Sequence, residues 1–346
     1  MIYFENTALQ SACLHLVGNK GRGEGILLSV SPMQVDNSIR PILLQFFISP
    51  FKSAERYSFF HHSGLEFNFV CKIVRGVFNN PESLYDSSVM LANQLYDCSE
   101  NNRIKGGEFY VAYFKEVEVD GIITDAVGLF KTENKETYLH VVSRDGKNDM
   151  EQEAGININK LDKGCIVFNM NQEEGYSLAI IDNTNKTEAK YWIEDFLQAR
   201  PRSDEFHQTQ TVLQAAKKYI TKQLPVEREI TKGEQAELLN KSLRFFQENE
   251  CFEISRFSNV VMGDNSHALS FEQFAESYSA SSSLELVDGF NISASAVKKY
   301  SRSTKSVIKL DRNFHIYIHG GEGLIKRGYD EASGMEFYQL FFEKEE

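Results

Sequence analysis

His315 and His319 stand four residues apart in Phe314 to His319, a run that reads as a strand. Both rings would therefore point to one face, where a metal ion or a phosphate could meet them. A metal site needs three or four ligands, and no neighbouring carboxylate and imidazole complete the set, so hydrogen-bonded or exposed strand histidines are the better reading. His61 and His62 are adjacent, and adjacent strand residues face opposite sides of a sheet. The run Gly18-Asn19-Lys20-Gly21-Arg22-Gly23-Glu24-Gly25 has the composition of a phosphate cradle. It lacks the Gly-Lys-Ser/Thr ending, however, and leads into a strand pattern where a cradle would open a helix, so a hairpin loop is expected. Gly320-Gly321-Glu322-Gly323 likewise falls between two strand patterns. There is no Gly-x-Ser-x-Gly elbow, no His-Glu-x-x-His and no Cys/His pair in a recognisable context. The expectation is a binding protein with no enzymatic activity, no metal and no cofactor.

Charge carries the stronger signal. The chain has 37 basic and 49 acidic side chains, a net charge of −12, which repels polyanions over long range and requires any nucleic-acid contact to be local. Between Asn291 and Arg312 the balance reverses: Lys298, Lys299, Arg302, Lys305, Lys309 and Arg312 face only Asp311. Ser301, Ser303, Thr304 and Ser306 are interleaved as further phosphate donors, and Tyr300 is placed to stack on an exposed base. A second basic patch is expected from Arg200 and Arg202 with Lys217, Lys218 and Lys222, because Gln210, Gln214, Lys217 and Lys218 fall opposite the apolar stripe of their helix.

These residues must be positioned by an α+β chain. At 346 residues, two domains are expected, residues 1–187 and 188–346, the second being the candidate nucleic-acid-binding part. The first should be an antiparallel meander sheet with helices. Asn80-Pro81 starts a helix to about Asp97 with Leu84, Leu91 and Leu95 on one face. From Glu108 the period is two: Phe109, Val111, Tyr113 and Val117 alternate with Tyr110, Ala112, Phe114 and Glu116, and Asp120-Gly121 reverses the chain into Ile122 to Lys131. Thr137 to Ser143, Gly164 to Met170 and Tyr176 to Asp182 extend this meander. The second part should be helical and end in a small antiparallel sheet. Ser203 is the expected cap of a helix with Phe206, Leu213, Ala216 and Ile220 inward, and Thr231-Lys232-Gly233-Glu234 and Ser270-Phe271-Glu272-Gln273 fit the capping-box pattern. Five dispersed cysteines fit a reducing cytoplasm with buried thiols, and neither an export signal nor a membrane-length apolar run is expected.

Four segments in order, Ala126-Val127-Gly128-Leu129-Phe130-Lys131, Leu161 to Phe168, Tyr191-Trp192-Ile193-Glu194-Asp195-Phe196-Leu197 and Ser306-Val307-Ile308-Lys309-Leu310-Asp311, resemble the bacterial nucleoid-associated proteins of the NdpA/YejK type. The similarity runs over nearly the whole chain and is clearest from about Tyr110 to Tyr219. It implies a cytoplasmic protein found with the nucleoid that binds DNA or DNA-handling proteins. It carries no catalytic residues to transfer.

Overall fold

The structure, a computed structural model, describes residues 2–184, 191–281, 287–303, 306–310, 314–318, 325–342 and 344. The chain divides into two compact units, Met1–Arg202 and Ser203–Glu346. The strand Ala199–Pro201 pairs with Tyr57–Phe59, which holds the chain in the first unit well beyond residue 187.

Among the described residues of the first unit, nine antiparallel strands form one sheet. Its spatial order is Ala199–Pro201, Tyr57–Phe59, Ser177–Asp182, Lys163–Phe168, Ile122–Thr132, Gly107–Val119, Ala8–Val17 and Ile26–Leu27, with Ile2–Tyr3 also on Gly107–Val119. Gly107–Val119 and Ile122–Thr132 form the expected hairpin, turned by Asp120 at φ 52° and Gly121 at φ 82°. Two positive-φ residues in succession match the right-handed twist of the strands they join.

One sequence expectation fails within that hairpin. Glu116 adopts φ 58° and the register shifts between Phe114 and Val117. This β-bulge reverses the alternation, so Val117 and Val119 join Tyr110, Ala112 and Phe114 on one face instead of following Phe109, Val111 and Tyr113 on the other. Thr137 to Ser143 also departs from the meander. It belongs to Glu136–Arg144, which pairs with Lys147–Gly155 as a separate two-stranded ribbon, and Ile122–Thr132 pairs directly with Lys163–Phe168.

Both faces of the sheet are covered. On one side the helices Phe69–Asn79 and Leu84–Asp97 bury Val70, Val74, Leu91 and Leu95 against Val111, Leu129 and Val167. On the other, the helix Arg40–Ile48 supplies Phe46 and Phe47, and Phe47 stacks on Phe130 with ring centroids 4.4 Å apart. Tyr191–Phe196 is a π-helical turn that buries Trp192. Cys13, Cys71 and Cys165 are buried thiols that pack as small hydrophobes.

The second unit is helical around an aromatic core that includes Phe245, Phe246, Phe252, Phe257 and Phe290. The helix Glu205–Lys218 is capped by Asp204, whose carboxylate accepts from the His207 amide at 3.0 Å; the expected cap, Ser203, instead accepts from the Gln208 side chain. The helix continues through a π turn, Tyr219–Gln223, into Leu224–Glu227. Thr231 and Glu234 form the expected capping box of Lys232–Glu248. The second such pattern is not a helix start: Ser270 lies inside Asn265–Ser281, whose first amides, of Ser266 and His267, donate to Asp264. Towards the carboxy end, Ser306–Leu310 pairs with Phe314–Ile318, and Ile325–Asp330 with Met335–Leu340.

Candidate nucleic-acid interface

The basic window contains a helix that its sequence did not announce, Ala294–Ser303. Ala296, Val297 and Tyr300 fall at i, i+1 and i+4 and are buried in the core of the second unit. Lys298, Lys299 and Arg302 are exposed. At about 100° per residue these three span an arc of about 100° on the outer side of the helix. Tyr300 is 7% exposed, so its ring fills the core and is closed to a nucleic-acid base.

This helix packs beside Glu205–Lys218. The Ser293 amide donates to Thr209 Oγ1 at 3.0 Å, and Lys299 Nζ lies 5.5 Å from the centroid of the buried Phe206 ring. Lys217 and Lys218 are exposed in the last turn of Glu205–Lys218, and Lys222 is exposed in the π turn that follows. Lys218 Nζ sits 5.0 Å from the Tyr278 ring centroid. Gln214, one turn earlier, is exposed as expected, while Gln210 is half-buried. Eleven residues separate Phe206 from Lys217, which at 1.5 Å and 100° each is a rise of about 17 Å with only about 20° of net rotation. Lys299 and Lys217 therefore mark the two ends of one side of this helix.

Other expected residues lie elsewhere. Arg200 and Arg202 belong to the first unit. The Arg200 guanidinium lies 4.3 Å from the centroid of the Phe60 ring, and Arg202 is ion-paired with Glu174. Lys305, Thr304, Asp311, Arg312, His319 and the Gly320 to Gly323 turn lie outside the described residues, as do the side chains of Ser303, Ser306 and Lys309. His315 is exposed. His61 and His62 do not occupy a strand; their rings stack with centroids 4.3 Å apart in the segment after Tyr57–Phe59. Among the described residues no group of three or more His, Cys, Asp or Glu is placed to hold a metal ion, and no helix is long and apolar enough to cross a membrane.

The glycine-rich run is a hairpin loop, and most of its amides are spent on internal bonds. Those of Gly18, Lys20, Gly23 and Glu24 donate to backbone carbonyls, that of Asn19 to the Glu24 carboxylate, and that of Arg22 to the Asn19 side chain. An amide already bonded inside the protein, as that of Lys20 is to the Ser99 carbonyl, cannot cradle a phosphate.

The model of the family described as nucleoid-associated protein YejK matches residues 13–334. The chain belongs to the YejK family. The match spans the sheet, the helical core and the basic helix, so membership covers both units. No curated protein matches the sequence.

Proposed function

We propose that this YejK-family chain is a non-catalytic bacterial nucleoid component of the cytoplasm, whose second unit contacts DNA through Lys217, Lys218, Lys222, Lys298, Lys299 and Arg302. The observation that carries this reading is the pair of exposed cationic clusters at the two ends of one helix side. The helix rise of about 17 Å from Phe206, beside which Lys299 lies, to Lys217 matches about five phosphates of one strand at about 3.4 Å each along the duplex axis. The contacts are to phosphate, so binding has little sequence preference and needs no cofactor. Six neutralised phosphates give a log–log salt slope of about −5.4 on duplex DNA. Fluorescence anisotropy of the full chain at graded salt tests this. Lys217→Glu/Lys218→Glu/Lys298→Glu/Lys299→Glu should flatten the slope by about 3.6, from four lost contacts. Absence of binding at about 50 mM salt, where such contacts persist, defeats direct contact.

A specific observation favours a second reading. Neither unit is basic overall: the first carries 20 basic and 27 acidic side chains, the second 17 and 22. Acidic surface complements basic DNA-handling proteins, and through one of these the chain would reach the nucleoid without touching DNA. Partners that survive thorough nuclease digestion in a pull-down support this reading, and partners lost with the DNA count against it.

A further inference from the structure

Among the described residues, Glu136–Arg144 and Lys147–Gly155 pair only with each other, and none of their residues is buried. A ribbon of two strands is marginally stable in water by itself, so this one has reason to gain a further strand. Its two faces differ. Leu139 and Val141 lie opposite Gln152 and Met150 on a face that carries no charged side chain. Leu139, Val141 and Met150 are 66%, 67% and 69% exposed. Glu136, His140, Arg144 and the four charged residues of Lys147–Gly155 share the other face.

The two free edges differ as well. Asp145 and Gly146, both at positive φ, form a two-residue turn, which closes on a hydrogen-bonded pair, Arg144 and Lys147. Alternation back along the strand then directs the backbone groups of Thr137, Leu139, Val141 and Ser143 outward. No proline, lysine or bulge protects that outer edge. Two copies of Lys147–Gly155 laid antiparallel over their full length would set Glu151 against Glu151 and Asp149 against Glu153. Like charges directly opposite destabilise such a pair. Two copies of Glu136–Arg144 laid the same way set Glu136 against Arg144 at both ends, Tyr138 against Val142, Leu139 against Val141, and His140 against its own copy. Leu139 and Val141 both present outward amides and carbonyls, as do the opposed Thr137 and Ser143, so each of these pairs can exchange two hydrogen bonds. Arg144 reaches Glu151 of its own chain at 3.0 Å and is still 74% exposed, which leaves its fork open to a second carboxylate. Glu136 accepts from Asn157 at 2.9 Å and keeps further lone pairs.

We propose that Glu136–Arg144 is a dimerisation edge whose partner is a second copy of this chain, the two strands pairing antiparallel about a two-fold axis at His140 into a four-stranded sheet. Both copies use the same edge, so the assembly closes at two. The interface lies in the first unit and is independent of DNA contact. Sedimentation equilibrium of the full chain should show a reversible, concentration-dependent shift from 39.5 kDa towards twice that mass. Glu136→Arg and Arg144→Glu each turn both end pairs into like charges and should each weaken dimerisation by about fivefold or more. An equimolar mixture of the two variants should recover it, because a heterodimer restores both opposite-charge pairs. Oxidation reads the register. Residue 140 meets its own copy at a non-hydrogen-bonded position, with Cα atoms about 4.5 Å apart and within disulfide range. His140→Cys should therefore give a cross-linked dimer on a non-reducing gel, whereas Val142→Cys, opposite residue 138, should stay at the background set by the wild type with its exposed Cys251. The proposal is overturned if the chain remains monomeric at about 100 μM, a hundredfold above a micromolar Kd, or if its mass runs past the dimer into open polymers. It is equally overturned if the charge variants dimerise like the wild type, if their mixture stays monomeric, or if the two cysteine variants cross-link alike.

Discussion

The buried imidazole of His15 makes the stability of the first unit depend on pH in a predictable direction. His15 is 1% exposed. Its Nδ1 accepts from the Ser29 amide at 3.2 Å, and its Nε2 pairs with Ser88 Oγ at 2.8 Å, while Ser88 donates its own proton to the Tyr85 carbonyl at 2.6 Å. Only the neutral ring with its proton on Nε2 satisfies all three bonds. Protonation would place a hydrogen on Nδ1 facing the Ser29 N–H, and burial already pushes the His15 pKa below its ordinary value. In the unfolded chain His15 takes up a proton near its ordinary pKa of about 6.5. As the pH falls below that value the unfolded state binds more protons than the folded state, and stability falls until the folded pKa is reached. The loss per site is at most about 1.4 kcal/mol per pH unit. Urea denaturation followed by the fluorescence of Trp192, the only tryptophan and fully buried in the same unit, reads this directly. Between pH 7 and 5 the wild type should lose stability more steeply than His15→Gln, by up to that amount. Superposable pH slopes would refute the assignment of a neutral buried ring.

Phe47→Ala should cost the first unit about 3–5 kcal/mol in the same urea assay, because the lost ring stacks on Phe130 in a closed core and leaves a cavity. Thr231→Ala removes the hydroxyl that accepts from the Glu234 amide, the side-chain half of the capping box of Lys232–Glu248, and should destabilise the second unit by about 0.5–2 kcal/mol, read by circular dichroism on chemical denaturation. Gly121→Val forces a β-branched residue to φ 82° and should destabilise the first unit by more than about 1 kcal/mol, visible as a lower urea midpoint with an unchanged slope. Tyr300→Phe keeps the buried ring and should leave DNA affinity unaltered, whereas a base-stacking tyrosine replaced by alanine costs about 1–3 kcal/mol of binding.

The elements legible in the sequence were those whose local signals agreed. Asp120-Gly121 between two alternating runs identified the central hairpin, and Asn80-Pro81 followed by Leu84, Leu91 and Leu95 identified a helix that the structure places at Leu84–Asp97. Thr231 and Glu234 did the same for Lys232–Glu248. Features that depend on distant partners were hidden. The bulge at Glu116 swaps the faces of Val117 and Val119, and an unbroken alternation gives no hint of it. Phe69–Asn79 is a helix with Gly76 inside it, and Ala294–Ser303 is short and rich in serine and lysine, so tertiary burial of one stripe decides both. Tyr300 looked available because the window around it is polar, but helical spacing puts it on the buried side with Val297.

The direct pairing of Ile122–Thr132 with Lys163–Phe168 also bears on protein engineering. The ribbon Glu136–Gly155 adds no rung to the large sheet, and its reversal at Asp145 and Gly146, with φ 51° and 78°, is exposed. A reporter domain grafted at Asp145-Gly146 leaves every pairing of the nine-stranded sheet intact. A chain shortened between Lys135 and Lys160 still retains Asn134 and Asp162, whose hydrogen bonds close the base of the excursion.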